Sequence, residues 1–443
     1  MSMHFSRRTN WNTQESELAR AHRERIQAGL PIADLTQSNP TRCGFAYPAA
    51  LLDALTNPRA LGYDPQPKGL LPAREAVCEY YAAHGASLHP NQIVLTTSTS
   101  EAYSFLFRLL CDPGDEVVIL QPGYPLFDFL ADLDDVRLKA APLVYENVWQ
   151  IDAEGIRRAI GPATRAIVVV HPNNPTGHFT KPSEAAELAA LCREFGLSLI
   201  VDEVFIDYGF GDYSFGDYGF GGSSLCAEAQ SFAGGIEGVP VYVVSGLSKI
   251  AGLPQMKAAW IVCATSAVSG PEREQAPNDA LNRLEVIADT FLSMNAPVQW
   301  ALPRWLGGPA QIWPAIQDQI RRRTAANLAA LDRALEAVTL DPANRDAARI
   351  GAERLEALMA IQRLKVEGGW YAVLRIPAIQ PDEQTVLALL ERGVWVHPGY
   401  FFGMPESGWL VVSLLAREAE FSNGVATMIN YLGTNHGRNV TDR

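Results

Sequence analysis

Five short aliphatic runs constrain this chain more than anything else in it: Val117-Val118-Ile119-Leu120, Ile167-Val168-Val169-Val170, Leu199-Ile200-Val201, Val241-Tyr242-Val243-Val244 and Trp260-Ile261-Val262. A strand that alternates apolar and polar residues has one wet face, whereas a strand apolar at every position has both faces covered. Runs of the second kind, separated by helical patterns, belong to a mainly parallel sheet lying between layers of helices. Crossover helices are expected over Leu70 to His84, Glu101 to Leu110 and Ser183 to Phe195. The expected fold class is therefore α/β.

At 443 residues and 48% apolar composition, the chain exceeds what one hydrophobic core usually serves, and two domains are expected. The alternating pattern fills residues 46–315, read as the large domain. A long helix is expected from about Asp318 through Leu328, Leu331 and Leu335, followed by strands at Val366 to Leu374 and Val394 to Val396. These belong to a smaller domain over 316–443. Residues 1–45, which carry Leu18, Ala21, Arg25 and Ile26, are read as an arm that also packs there, so that both chain ends build the smaller unit.

The chain carries 36 basic and 49 acidic residues for a formal charge of -13, and Arg321-Arg322-Arg323 is its largest basic block. That balance argues against broad contact with nucleic acid or an anionic membrane and favours small-molecule chemistry. Six cysteines, Cys43, Cys78, Cys111, Cys192, Cys226 and Cys263, lack C-x-x-C spacing. They read as free thiols in a reducing compartment, with no metal site expected. The opening Met1 to Arg8 leads into polar residues rather than an apolar signal core, and the cytoplasm is the expected location. Three glycine-aromatic copies, Asp207 to Gly211, Asp212 to Gly216 and Asp217 to Gly221, are too short for a repeat architecture. They read as a long loop, either a surface insertion or a wall of a substrate pocket.

The ends of the strand-like runs are where polar residues gather, and in a parallel sheet ligands bind beyond the carboxyl ends of the strands. Lys249 lies in Ser245-Gly246-Leu247-Ser248-Lys249, just after one run. Desolvation at a strand end keeps part of a lysine neutral, and its amine can then form a Schiff base with a carbonyl group. A surface lysine is the plain alternative. Asp202-Glu203 ends another run, and His171-Pro172-Asn173-Asn174-Pro175-Thr176-Gly177 ends a third. An asparagine can donate to an aromatic oxygen, and an aspartate can hold a protonated ring nitrogen. Each fragment taken singly is also ordinary turn material. Ser98, Thr99 and Ser100 precede a helix, with Ser98 and Glu101 at capping-box spacing. Free amides plus clustered hydroxyls make a phosphate cradle, although such a start is more often only a cap. Tyr124, in Pro122-Gly123-Tyr124-Pro125, is placed either to stack on a planar heterocycle or to pack within its turn.

Taken together these residues resemble the fold type I, class I/II aminotransferases that use pyridoxal 5'-phosphate, over roughly residues 30 to 420. The resemblance implies a mainly parallel-sheet large domain, a smaller α/β domain formed by both chain ends, and a homodimer with shared active sites. It further implies that Lys249 is the Schiff-base lysine, Asp202 the partner of the pyridine nitrogen, Asn174 the donor to the phenolate and Tyr124 the ring-stacking aromatic. Ser98, Thr99 and Ser100 resemble the phosphate-binding turn, joined by Ser248 and Lys257. Tyr63, in Tyr63-Asp64-Pro65-Gln66-Pro67-Lys68-Gly69, resembles the tyrosine that reaches the partner's phosphate. The reaction so implied is amino transfer from an amino acid to a 2-oxo acid by a ping-pong route. A β-eliminating lyase is the nearest enzyme alternative. A cofactor-sensing transcription regulator is disfavoured because no basic helix-turn-helix segment precedes the large domain.

The chain departs from that pattern in four places. Lys257 stands where many relatives carry an arginine, and keeps the charge without the bidentate fork. Gly246 stands where a phosphate-contacting hydroxyl is common, with Ser245 and Ser248 nearby. Phe205 replaces a tyrosine that would donate to the phenolate. Val411, in Trp409-Leu410-Val411-Val412-Ser413, occupies the position of the arginine that grips the substrate carboxylate, a contact valine cannot make. Arg42 and Arg417 are the candidate substitutes, a surface-only role being the plain alternative for both, and Trp370, Phe401 and the aromatic loop suit an apolar or unusual amino donor, with core packing an equal explanation.

Overall fold

The structure, a computed structural model, describes residues 4–211, 230–264, 275–307, 313–340, 358–405 and 407–434. After a short strand β1 (Ala33–Asp34), the chain lays down β2 (Ile93–Thr96), β3 (Glu116–Gln121), β4 (Arg137–Glu146), β5 (Val148–Ile151), β6 (Thr164–Val170), β7 (Ser198–Asp202), β8 (Val241–Gly246) and β9 (Ala259–Cys263). These eight form one sheet in the order β2-β9-β8-β7-β6-β3-β4-β5. The central run from β8 to β4 is parallel, and β9 is antiparallel to both its neighbours. As a result β2 points the same way as the parallel strands.

The double-sided apolar runs find the covering they require. Val118, Leu120, Ile167, Val169, Leu199, Val201 and Val243 face one cluster, which takes in the helices Leu71–Ala83 and Ala296–Leu306. Their alternates Val117, Ile119, Val168, Val170, Ile200 and Val244 face another, under the helix Thr99–Leu110. A side chain fully buried in this way contributes about 1.5–3 kcal/mol, so a one-residue slip in register is strongly disfavoured on both faces. The helix Pro182–Phe195 connects β6 to β7 and ends at Gly196 in the left-handed region (φ +67°), where glycine carries no steric cost.

The second unit holds β10 (Gln362–Arg363), β11 (Tyr371–Arg375), β12 (Val394–Trp395), β13 (His397–Pro398) and β14 (Trp409–Ser413). Its antiparallel sheet runs β10-β11-β14-β13, and β1 pairs in parallel with β12. Leu18 and Leu35 join residues of the 358–432 region in one buried cluster, so both chain ends contribute to this unit. The expected long helix starts earlier than Asp318: it spans Trp313–Leu340, with Pro314 in its first turn, where a missing N–H costs nothing. Ile316 and Ile320 pack in a large-sheet cluster and Leu331 in the smaller one, so the helix joins the two cores instead of beginning after a boundary at 315. The strand expected over Val366 to Leu374 is shorter, because Glu367, Gly368 and Gly369 turn away to meet the large domain.

Candidate active site

Strands β2, β3, β6, β7 and β8 deliver their carboxyl ends to one edge of the sheet, and the polar residues singled out in the sequence follow there. Asp202, the last residue of β7, is 6% exposed. Its Oδ1 accepts from Val204 N–H at 3.1 Å and its Oδ2 accepts from the Tyr103 hydroxyl at 3.0 Å. Burial pushes its pKa up to about 6, while those two donors and the positive charge of Lys249 pull the other way. The backbone N–H of His171 donates to the Asp202 carbonyl at 2.8 Å, which ties the ends of β6 and β7 together.

Lys249 sits in the single-turn helix Leu247–Ile250 directly after β8. Its Nζ lies 5.1 Å from the centroid of the Trp370 ring and 5.9 Å from that of Phe205. The residue keeps some solvent exposure, but desolvation of its amine lowers the pKa to about 8, with the Asp202 charge opposing the shift. A buried carboxylate and a lysine moved toward neutrality in one place are what catalytic sites build and structural ion pairs rarely need. The lysine turn is itself held from behind, since the Tyr208 hydroxyl donates to the Lys249 carbonyl at 2.6 Å and the Tyr208 ring packs edge-on against Trp370 at 5.2 Å. Tyr208 belongs to the first glycine-aromatic copy. That copy is therefore built into the site at its start, whereas residues 212–221 lie outside the described residues, as does Cys226.

Gly246, a departure from the expected hydroxyl, has a local cause. A Cβ there would meet Ala259 Cβ at 2.7 Å and the Ala258 carbonyl oxygen at 2.9 Å, so the close approach of β9 excludes serine. Ser245 is fully buried with its hydroxyl unpartnered, and Ser248 is half-buried. Ser98 caps the helix Thr99–Leu110, accepting from Glu101 N–H at 3.2 Å. The reciprocal half of the expected capping box is displaced by one residue, because Glu101 Oε2 accepts from Thr97 N–H at 2.7 Å. Thr99 and Ser100 follow at the helix start, both half-buried. Asn174 is buried with its side-chain oxygen unpartnered. Tyr124 packs edge-on against Phe127 at 5.7 Å, and its hydroxyl, held up to about 12 by burial, is close enough to Asp202 to feel its charge.

Other expected residues lie further out. Lys257 is exposed and occupies the left-handed region (φ +51°) after the turn Pro254–Met256, a conformation that costs a non-glycine residue roughly 1 kcal/mol. Tyr63 is 84% exposed at the mouth of an open cavity of about 690 Å3 that does not include Lys249 or Asp202. Arg42 is exposed in the turn Pro40–Arg42, and the exposed Arg417 lies against Gly44, where a Cβ would meet its Nε at 3.1 Å. Val411 is fully buried and paired across the sheet with Val373 and His397, so no cation stands at that position. Trp370 is fully buried with its indole N–H unpartnered.

A seam of close backbone contacts fixes the smaller unit against this edge. Gly177 lies under Gly368, where a Cβ would meet the Gly368 carbonyl oxygen at 2.3 Å, and Gly369 N–H donates to the Tyr208 carbonyl at 2.8 Å. Beside it the buried Glu367 carboxylate accepts from Lys181 Nζ at 2.5 Å and from Phe179 N–H at 3.0 Å. Burial alone raises the Glu367 pKa, but the nearby His178, whose Nδ1 lies 3.6 Å away, and donation from Lys181 and Phe179 outweigh it and bring the value down to about 2. Sequence reasoning missed Tyr103 and Glu367, and reached Tyr208 only as part of a loop read as a surface insertion or a pocket wall. A tyrosine inside an apolar helix face and a glutamate before two glycines carry no local signal of their destination.

At this edge of the sheet the fold brings a buried carboxylate, Asp202, near a lysine, Lys249, whose amine desolvation moves toward neutrality. The class I and II aminotransferase pattern matches residues 45–423, and the chain belongs to that family. It is similar to the glutamate-pyruvate aminotransferase of Escherichia coli, at 28% identity over 64% of this chain and 65% of that protein. It is also similar to an S-alkyl-thiohydroximate lyase of Arabidopsis thaliana, at 29% identity over 57% of this chain and 51% of that one. The chain thus matches less than two thirds of the length of these relatives. A crystal structure of an aminotransferase from Escherichia coli superimposes with a TM-score of 0.77 over 99% of this chain and 100% of that one. At 23% identity, that likeness speaks for the fold alone. Among the described residues no helix is long and apolar enough to cross a membrane, and no group of three or more His, Cys, Asp or Glu side chains is placed to hold a metal ion.

Proposed function

We propose that the protein is a pyridoxal phosphate-dependent aminotransferase that moves an amino group from an amino acid to a 2-oxo acid. The observation that carries this reading is the meeting of Lys249 and Asp202 at one edge of the sheet, the first shifted down to about 8 and the second buried and raised to about 6. The donor set fits the cofactor. Asn174 brings a buried side-chain amide whose NH2 can donate to an aromatic oxygen, Ser98, Thr99 and Ser100 bring hydroxyls to a helix start, and Ser245 brings a buried, unpartnered hydroxyl. Bound there, pyridoxal phosphate would supply an aldehyde for amine exchange and a ring that takes up electron density from the substrate α-carbon.

Lys249 would hold the group's aldehyde, and its amine is placed to move a proton at the substrate α-carbon. Asp202 would hold a proton at the ring nitrogen of the bound group, and the protonated ring would take up electron density more readily. Asn174 and Tyr124 are the residues that would orient the ring. The helix start at Ser98 would bind the phosphate, with the exposed Lys257 as a candidate source of positive charge. The two half-reactions balance: an amino acid leaves as a 2-oxo acid while its nitrogen stays with the enzyme, and a second 2-oxo acid leaves carrying that nitrogen. Tyr63, exposed on the surface, completes the phosphate site of a partner subunit. Arg42 and Arg417 are the cations offered to the substrate carboxylate in place of an arginine at Val411, and Trp370 lines the pocket.

A second reading, β-elimination, draws on the lyase relative. Enzyme loaded with cofactor and given an amino acid without acceptor distinguishes them. Transfer releases one 2-oxo acid per site, stops, and resumes on addition of a second 2-oxo acid. Elimination continues without acceptor and releases ammonia, and that result overturns the proposal.

A further inference from the structure

Among the buried groups at the site, Tyr103 alone combines a bond to a reacting-site carboxylate with a place on the helix that begins at the hydroxyl cluster. It is 1% exposed, wedged edge-on against Phe127 at 5.1 Å, and donates to Asp202 Oδ2 at 3.0 Å, the oxygen that Val204 N–H does not take. Ser98 caps the same helix five residues earlier, so the rigid helix links the position of the hydroxyl cluster to that of the carboxylate.

We propose that Tyr103 is the positioning residue for Asp202: it fixes the rotation of the carboxylate and holds it ionised, leaving its remaining lone pairs for the cofactor's ring nitrogen. The inference rests on the cofactor reading above. Phenol donation to a carboxylate favours the charged form. Against it stands the burial that raises the Asp202 pKa. Tyr103 itself stays protonated, and so remains a donor, because burial and the neighbouring Asp202 raise its own pKa well above the ordinary value. The titratable groups facing Asp202 are Lys249 beyond β8, Tyr124 after β3, Tyr103 on the capped helix, Tyr81 and Glu203. Of these, Tyr103 is the side chain bonded directly to the carboxylate.

The test is a double-mutant cycle on the holoenzyme with Tyr103→Phe, Asp202→Asn and the pair, read as the dissociation constant for pyridoxal phosphate and the pH profile of kcat. Tyr103→Phe keeps the ring and the fold, which an unchanged melting curve verifies. It is expected to weaken cofactor binding on the order of tenfold, to shift the acid limb of kcat to higher pH, and to change KM for the amino donor less than kcat. In the Asp202→Asn background the same change is expected to add nothing to the loss of cofactor affinity. Equal weakening in both backgrounds assigns Tyr103 to packing and overturns the proposal, as does a Tyr103→Phe enzyme with wild-type affinity and pH profile beside a crippled Asp202→Asn enzyme. An Asp202→Asn enzyme that binds and turns over like wild type overturns the cofactor reading and this inference with it.

Discussion

Lys249 and Asp202 are neighbours whose acidities move toward each other for one dominant reason, burial, which penalises whichever form is charged. For the lysine the consequence is a neutral fraction near physiological pH that an ordinary lysine lacks. Its pKa lies near 8 against an ordinary 10.5, so the amine is protonated below about pH 8 and free above it. Covalent capture of added pyridoxal phosphate by apo-protein is therefore expected to rise with pH and level off just above 8; stopped-flow absorbance checks this, and a rate still climbing at pH 10 contradicts a desolvated Lys249. These two residues were legible in the sequence because each ends an aliphatic run, where a polar residue has few structural reasons to be. Tyr103 was not legible. Its hydroxyl interrupts an otherwise apolar helix face, and nothing local distinguishes that from a tyrosine filling a core.

At the scale of elements, the sheet was readable because residues apolar on both faces have one common solution, a parallel sheet covered on two sides. The seam between Gly177, Tyr208 and Glu367 was not, since it joins segments nearly two hundred residues apart whose partners no local pattern names. Its glycines mark backbone contacts too close for a side chain, and Glu367, 4% exposed, marks an ion pair with the partly exposed Lys181. A carboxylate held near 2 instead of 4.5 contributes stability that is complete above about pH 4.5 and lost as pH falls through 2. Glu367→Gln is expected to lower unfolding stability by roughly 3 kcal/mol at pH 7, because it leaves Lys181 and His178 facing a neutral amide. The gap from wild type should close as the pH drops below 4.5. Urea melts across that range check it, and a gap independent of pH contradicts the ion-pair account.

At the scale of the whole molecule, the exposed Tyr63, together with Leu61 at 92% exposure, gives the proposed dimer its argument: apolar side chains this bare on a chain of charge -13 are more at home in an interface than in water. If Tyr63 serves the partner's site, mixing inactive Tyr63→Phe and Lys249→Ala chains is expected to restore up to about a quarter of wild-type activity, from hybrids that hold one intact site; mixtures no more active than their parents contradict a shared site. The substrate's carboxylate anchor was the least legible part of the molecule, because the position that would name it holds the buried Val411 and the two candidate arginines lie on the surface. The proposed chemistry depends on one lysine. Borohydride reduction of the cofactor-loaded protein followed by peptide mapping measures that dependence most directly: the account predicts the pyridoxyl mark on Lys249 alone, and a mark on Lys257, Lys181 or any other lysine contradicts it.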